Sequence, residues 1–356
     1  MRVLMLVQSI DEDDWLRAFI VGWVRAIAAR VDQVEVITLW HGRADLPDNV
    51  RVRSMGKEQG FNRWQELRTF YRALSAVIDE VDILFCHMTP RYSWLAAPLA
   101  RWRHKPQVLW YTHKHVDWEL RLAHALVDRV VTATPESFRL PSGKVRVIGH
   151  GIDLSRFQPD SLNPAAAPAA PVIVAVGRLA PIKNLDALIR AVPHLLKRPG
   201  LEGLRVEIVG APAAEGGMLY QSRLADLIDD LDIAEQVRLP GPLPFDDMPD
   251  LYRRADLSVN LCPTGGADKA VLESMASGLP VVVHNQTFLP LLRDHEDLLW
   301  VPQLDPEMIA DHIASALALP DDQRRAITRD LRQRVEADFG LDSLADRLVA
   351  EFEAML

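Results

Sequence analysis

Short strand-like runs, most of them rich in apolar residues, recur along the chain at intervals that leave room for one amphipathic helix between most of them. In the first half these runs are Val3–Val7, Val34–Leu39, Val50–Ser54, Ile83–Met88, Val108–Thr112, Val130–Ala133 and Val145–Ile148, and each reads as a strand. The stretches Trp15–Ala29, Trp64–Ile78 and Leu120–Leu126 carry apolar residues at helical spacing. Strands alternating with helices predict a parallel sheet covered on both faces. The second half repeats the pattern with Val172–Val176, Val206–Val209, Val237–Leu239, Leu257–Leu261 and Val281–Val283, and with Leu299–Val301 as a candidate sixth strand. After Asn184, residues Leu185, Leu188, Ile189, Val192, Leu195 and Leu196 form one apolar stripe of a helix. The Ala/Pro-rich segment Asn163–Pro171 separates the halves and reads as a semi-stiff linker. A closing helix near Ser343–Met355 presents Leu344, Leu348, Val349, Phe352 and Leu356.

The pattern predicts an α/β chain with a first domain over 1–160, a linker over 161–171, a second domain over 172–338 and a C-terminal helix over 339–356. A length of 356 residues accommodates two domains of about 150 residues each. The 49% hydrophobic and 25% charged content is that of a soluble globular protein. No apolar run reaches the roughly 18 residues a spanning helix needs. Residues Met1–Gln8 read as a first strand rather than a signal peptide. Cys86 and Cys262 lie in apolar strand-like runs, so both are expected to be buried, reduced thiols. Charge is uneven. Residues 1–160 carry 22 Lys and Arg against 19 Asp and Glu, whereas the remainder carries 18 against 30. The acidic second half argues against broad nucleic-acid binding. The mildly basic first half suits an anionic acceptor or membrane surface, or is simply uneven surface charge. No GxGxxG follows the first strand and no Walker motif occurs, which removes the strongest cues for dinucleotide or ATP use.

The most informative chemistry lies in Val172–Asn184 and Asp268–Pro280. Gly177 allows a sharp turn at the end of a central strand, which leaves Arg178 and Lys183 at the carboxyl edge of a parallel sheet, where open α/β folds bind ligands. Glu273 falls in the first turns of a helix that begins near Asp268, and a helix start favours phosphate. Together these residues describe a pocket for a nucleotide diphosphate. "GRLxxxKN", "ADLSVN", "LESMASGLPVV", "WYTHK" and "VIGHGIDLSRF" appear in order along the chain. In these motifs the sequence resembles the retaining, nucleotide-sugar-dependent glycosyltransferases of the GT-B fold, known as glycosyltransferase group 1 or family 4.

The resemblance implies two Rossmann-like domains facing a cleft, and a terminal helix that crosses back to the first domain. Packing of that helix on its own domain is the alternative. It also implies transfer of a hexose, with retained configuration, from a UDP- or GDP-sugar to a hydroxyl acceptor that is lipid-linked or part of a cell-envelope glycan. The nucleotide sugar is a co-substrate; no cofactor and no metal site are expected. By resemblance Arg178 and Lys183 contact the diphosphate, Glu273 (beside Leu272) accepts ribose hydroxyls, and His113 stands near the donor sugar. The family pattern has a first glutamate eight residues before the second; here Gly265 takes that position, followed by Gly266. Asp268 and Lys269 are candidates to compensate, the first as acceptor for sugar hydroxyls or as a plain helix cap, the second as a further cation. On the acceptor side the candidates are Asp13 and Asp14 in the acidic run Asp11–Asp14, together with His87 and Tyr92. The aromatic and basic stretch Arg91–Lys105 would rest in a membrane interface or pack into the core. A cytoplasmic protein, free or peripheral at the inner face of a membrane, is expected. A sugar-nucleotide hydrolase or epimerase of the same fold and a catalytically silent nucleotide-sugar binder are the rival readings.

Overall fold

The computed structural model describes residues 1–159, 170–212 and 215–356. Most of the Ala/Pro segment falls outside them. The chain divides into two compact units, one of Met1–Asp153 with Phe339–Leu356 and one of Leu154–Asp338.

The first unit alternates β1 (Arg2–Ile10), α1 (Phe19–Ala28), β2 (Gln33–His41), β3 (Val50–Ser54), α2 (Arg63–Val77), β4 (Ile83–His87), α3 (Pro90–Trp102), β5 (Gln107–Trp110), α4 (Trp118–Leu126), β6 (Arg129–Thr132) and β7 (Val145–Val147). All seven strands pair in parallel, in the order β3-β2-β1-β4-β5-β6-β7. Alternate residues of each strand feed opposite cores. Val3, Met5 and Val7 pack with Trp23 and Ile27 of α1, while Leu4 and Leu6 pack beneath Phe70, Leu74, Ala96 and Leu120 of α2, α3 and α4. Helix α1 starts later than the apolar stripe suggested, because the Asp14 carboxylate accepts from Leu16 N and Arg17 N and builds a separate turn ahead of it. The Arg91–Lys105 stretch is largely helix, with Pro90 in its first turn where a missing N–H costs nothing.

The second unit contains β8 (Val172–Val176), α5 (Leu185–Leu195), β9 (Arg205–Val209), α6 (Glu215–Asp230), β10 (Val237–Gly241), α7 (Met248–Arg253), β11 (Leu257–Asn260), α8 (Lys269–Ala276), β12 (Val281–Val283), α9 (Leu289–Leu292), α10 (Glu296–Leu299), α11 (Pro306–Leu317) and α12 (Asp321–Phe339). Its five strands are parallel in the order β10-β9-β8-β11-β12. The expected sixth strand at Leu299–Val301 does not form. Leu299 ends α10, and Trp300 makes a single bridge to Val283. Cys86 is buried but Cys262 is half-exposed, since β11 ends at Asn260 and leaves Cys262 in the following loop. The last helix, α13 (Leu341–Glu353), belongs to the first unit: Leu344, Leu348 and Phe352 join the core around Trp23 and Phe85. Arg30 pairs with Asp342 and Asp346, and Arg347 Nε donates to Ile148 O at 2.7 Å. No helix among the described residues is long and apolar enough to cross a membrane.

Candidate functional site

In the second unit the parallel strands end at one edge, and β8 and β11 are neighbours there. Beyond β8 come Gly177, with φ near +148°, and Arg178. A short turn over Pro181–Lys183 then brings Lys183 back toward the strand ends. Gly177, Arg178, Lys183 and Asn260 line one small pocket at this edge. Arg178 is exposed and has no ion-pair partner among the described residues. Lys183 Nζ pairs with the Asp268 carboxylate, both side chains being largely buried. Asn260 Nδ2 donates to the same carboxylate at 3.0 Å. Burial works against charge on Lys183, yet Asp268 outweighs it and holds the ammonium above its ordinary value. Burial likewise opposes ionisation of Asp268, but Lys183 and Asn260 keep its carboxyl below the usual range. The pair is therefore charged at neutral pH.

Asp268 is also the N-cap of α8, accepting from Ala270 N at 3.3 Å. The helix start that the sequence offered to a phosphate is thus partly occupied by the chain's own carboxylate, which competes for the same N–H groups. One turn on, Glu273 is 6% exposed. Its carboxylate faces Lys269 Nζ at 3.6 Å and accepts from the Tyr252 hydroxyl at 3.5 Å. Burial pushes this carboxyl up, Lys269 pulls it back, and Asp268 adds to the rise. Lys269 also lies over the Phe245 ring, 5.6 Å from its centre. Leu272 is fully buried and anchors the turn that carries Glu273.

Gly265 has φ near +127°, a conformation that an L side chain rarely adopts. Its carbonyl accepts from Thr287 Oγ1 at 2.8 Å and from Asn285 Nδ2 at 3.3 Å, and the Gly266 carbonyl also faces Asn285. A side chain at this position would therefore have to take a strained backbone conformation.

In the first unit His113 is exposed just beyond the end of β5, with Nδ1 accepting from His115 N at 3.1 Å. The two other strand-end candidates are core residues. His87 is 2% exposed, edge-on to Trp23 and stacked against Trp110. Tyr92 is stacked on Phe70, and burial raises its hydroxyl pKa. As placed, neither is open to an acceptor, because β4 and the start of α3 turn them inward.

The acidic loop after β1 is not a bare negative patch. Glu12 bridges Arg25 and Arg43, Asp13 pairs with Arg43, and Asp14 pairs with Arg17. Asp13 points to solvent, whereas Asp14 lines an open pocket of about 450 Å³ with Trp15 and Trp40. Sequence reasoning did not single out Asn260, Tyr252, Asp11 or Trp40. Asn260 ends "ADLSVN", a polar residue closing an apolar strand, and that signal was available.

A family model described as "Glycosyl transferases group 1" matches residues 170–318. A GDP-mannose-dependent alpha-(1-6)-phosphatidylinositol monomannoside mannosyltransferase of Mycobacterium tuberculosis is 30% identical over 288 residues, 71% of this chain and 71% of that protein. A D-inositol 3-phosphate glycosyltransferase of Thermobispora bispora is 34% identical over 249 residues, 66% of this chain and 57% of that protein. The chain spans about half the length of the first curated relatives it matches. Among solved structures, Anabaena HepE in complex with UDP and glucose superposes with a TM-score of 0.78 at 17% identity, covering 99% of this chain and 100% of that one. WaaG, a glycosyltransferase involved in lipopolysaccharide biosynthesis, gives 0.67 at 14% identity, with 99% of each chain covered. The architecture is accordingly GT-B, two Rossmann-like parallel-sheet domains. The chain belongs to the group 1 glycosyltransferases.

Proposed function

We propose that this protein is a retaining glycosyltransferase that moves a hexose from a UDP- or GDP-linked donor to a hydroxyl acceptor, lipid-linked or part of a cell-envelope glycan. One observation carries the reading: Arg178, Lys183, Asn260 and Asp268 meet at the carboxyl edge of β8 and β11, with Glu273 a turn further along α8. In this reading the bond from the anomeric carbon to the β-phosphate oxygen breaks, and Arg178 and Lys183 stabilise the charge that develops on the diphosphate. Fixed cations supply that field, so no metal ion is called for. Glu273 accepts the ribose hydroxyls; its burial disfavours the charged form, and two hydroxyl donors would compensate. Gly265 and Gly266 leave the donor sugar approached by backbone, and His113 is assigned to the reacting centre on the family resemblance of its motif alone. The acceptor gives its proton to the departing phosphate, a front-face route that requires no carboxylate base.

The test is incubation with a panel of UDP- and GDP-sugars, with and without a lipid and glycan extract. Acceptor-dependent release of nucleotide is expected. Release without acceptor would instead make the protein a hydrolase or epimerase, and binding without turnover a silent nucleotide-sugar binder.

A cytoplasmic protein peripheral to an anionic bilayer is part of the proposal. Helices α2, α3 and α4 cover one face of the seven-stranded sheet. Their outer surface carries Trp64, Trp102 and Trp118, exposed at 80%, 69% and 64%, among exposed Arg68, Arg72, Arg101, Arg103 and Arg121. Exposed indoles interleaved with arginines suit the headgroup region, where the ring is half wet and the cation meets lipid phosphate.

A further inference from the structure

Helix α5 begins just after Lys183 and Asn184, and its own chain segment leaves its first turn uncapped. Asn184, the N-cap residue, is left-handed at φ near +49°, and its side chain makes no cap bond. Asn184 Nδ2 instead donates to Leu261 O at 2.9 Å, in the loop after β11. The first N–H groups of a helix have no partner within it, and leaving one buried and unpaired is costly. Here the partner comes from α6. The Tyr220 hydroxyl accepts from Leu185 N at 2.9 Å and from Asp186 N at 3.3 Å, and it donates to Asp186 Oδ1 at 2.8 Å. One donor and two acceptor sites are all that a phenol offers, so this buried hydroxyl is fully used. Burial, and then the Asp186 carboxylate, raise its pKa, so it keeps its proton at neutral pH.

The first turn of α6 rests on the same segment. A Cβ on Gly217 would stand 2.8 Å from Leu179 O and 2.8 Å from Pro212 Cβ, so glycine lets the helix approach this closely. Leu179 N in turn donates to Ala211 O at 3.0 Å, ahead of α6. Arg178 and Lys183 therefore lie on a loop held from behind by α6, while Asp268 holds the Lys183 ammonium from the strand edge. A diphosphate would compete with Asp268 for that ammonium. What then keeps the Lys183 backbone in place is the start of α5.

We propose that Tyr220 is a positioning residue for Lys183. Its hydroxyl fixes the first turn of α5, and with it the turn Pro181–Lys183, so that the ammonium stays at the carboxyl edge of β8 when Asp268 releases it. The assignment rests on the reading of Lys183 as a diphosphate contact. A cap that only steadied α5 would act on stability alone, whereas a positioning cap acts on nucleotide affinity through Lys183.

The test compares Tyr220→Phe, which keeps the ring and loses the hydroxyl, with Leu195→Ala at the buried far end of the same helix. Calorimetry with UDP and GDP is run on the parent, on both variants, and on Lys183→Met with and without Tyr220→Phe. Thermal unfolding and amide hydrogen exchange of the peptide spanning 177–187 accompany each titration. Tyr220→Phe should weaken nucleotide binding by about fivefold or more and speed exchange in that peptide. In the Lys183→Met background it should weaken binding no further. Leu195→Ala should lower the melting temperature while leaving affinity within about twofold of the parent. The proposal is overturned if Tyr220→Phe binds nucleotide as the parent does, if its loss persists undiminished without Lys183, or if Leu195→Ala weakens binding as much. A parent that binds neither nucleotide would sink the transferase reading instead. Exchange then decides: a peptide 177–187 faster in Tyr220→Phe than in Leu195→Ala leaves the positioning of Lys183 standing, and equal rates overturn it.

Discussion

Replacing Lys183 and Asp268 separately should give opposite effects on nucleotide binding, although the two form one ion pair. Both side chains are largely buried, at 15% and 22% exposure. Lys183→Met removes a cation whose charge-assisted contact with a diphosphate is worth about 1.5–3 kcal/mol, or about 10- to 150-fold in UDP affinity at 1.4 kcal/mol per decade. It also leaves the Asp268 carboxylate with only Asn260 and the Ala270 N–H. Because the pair retains some solvent access, the stability cost should be about 2 kcal/mol, below that of breaking a fully buried pair. Asp268→Asn keeps the amide oxygen that caps α8 and removes the negative charge next to the phosphate position. UDP should then bind as tightly as in the parent, or more tightly. Calorimetric titration with UDP and GDP, with denaturant unfolding of both single variants and the double variant, reads all of these quantities. The pair also has a pH signature. Asp268 titrates below its ordinary value of 3.8, so its stabilisation is present above that value and is lost as pH falls through the folded value; Asp268→Asn should lack this loss. The reasoning is refuted if Asp268→Asn weakens UDP binding as much as Lys183→Met, or if Lys183→Met leaves it unchanged.

Burial raises the Glu273 carboxyl, so the folded protein retains a proton that the unfolded chain has released, and stability falls as pH climbs from 4.5 through the folded value. Glu273→Gln should therefore gain more in Tm over the parent at about pH 7.5 than at about pH 4.5 while losing nucleotide affinity; an equal shift at both values would contradict the burial argument. Gly265→Ala forces an L residue to φ near +127° and should lower the urea midpoint by about 1–3 kcal/mol of stability with an unchanged slope, so an unmoved midpoint would mean that the loop readily adopts another course. Trp64, Trp102 and Trp118 changed together to glutamate should abolish flotation with anionic liposomes at low salt; flotation equal to the parent would remove the membrane reading.

Much of the fold was legible because buried parallel strands must be continuously apolar, and that signal is local. Val3–Val7, Ile83–Met88 and Val172–Val176 could hardly have been read otherwise, and the strands form within a residue or three of those limits. The candidate donor residues were legible for a related reason: Arg178 and Lys183 flank a strand end, and strand ends in a parallel sheet share one edge. Tertiary structure decided what depends on partners distant in sequence. The run Asp11–Asp14 reads as repulsive charge until Arg17, Arg25 and Arg43 neutralise most of it, leaving Asp11 beside Trp40 without a cation among the described residues. His87 and Tyr92 read as strand-end chemistry until the aromatic rings around them show that both are buried. Lys183 and Asp268 stand 85 residues apart and become one ion pair only because β8 and β11 are neighbours. Hydrophobic periodicity is written residue by residue, whereas the state of a charge depends on what packs against it, and that is settled only when the strands take their order in the sheet.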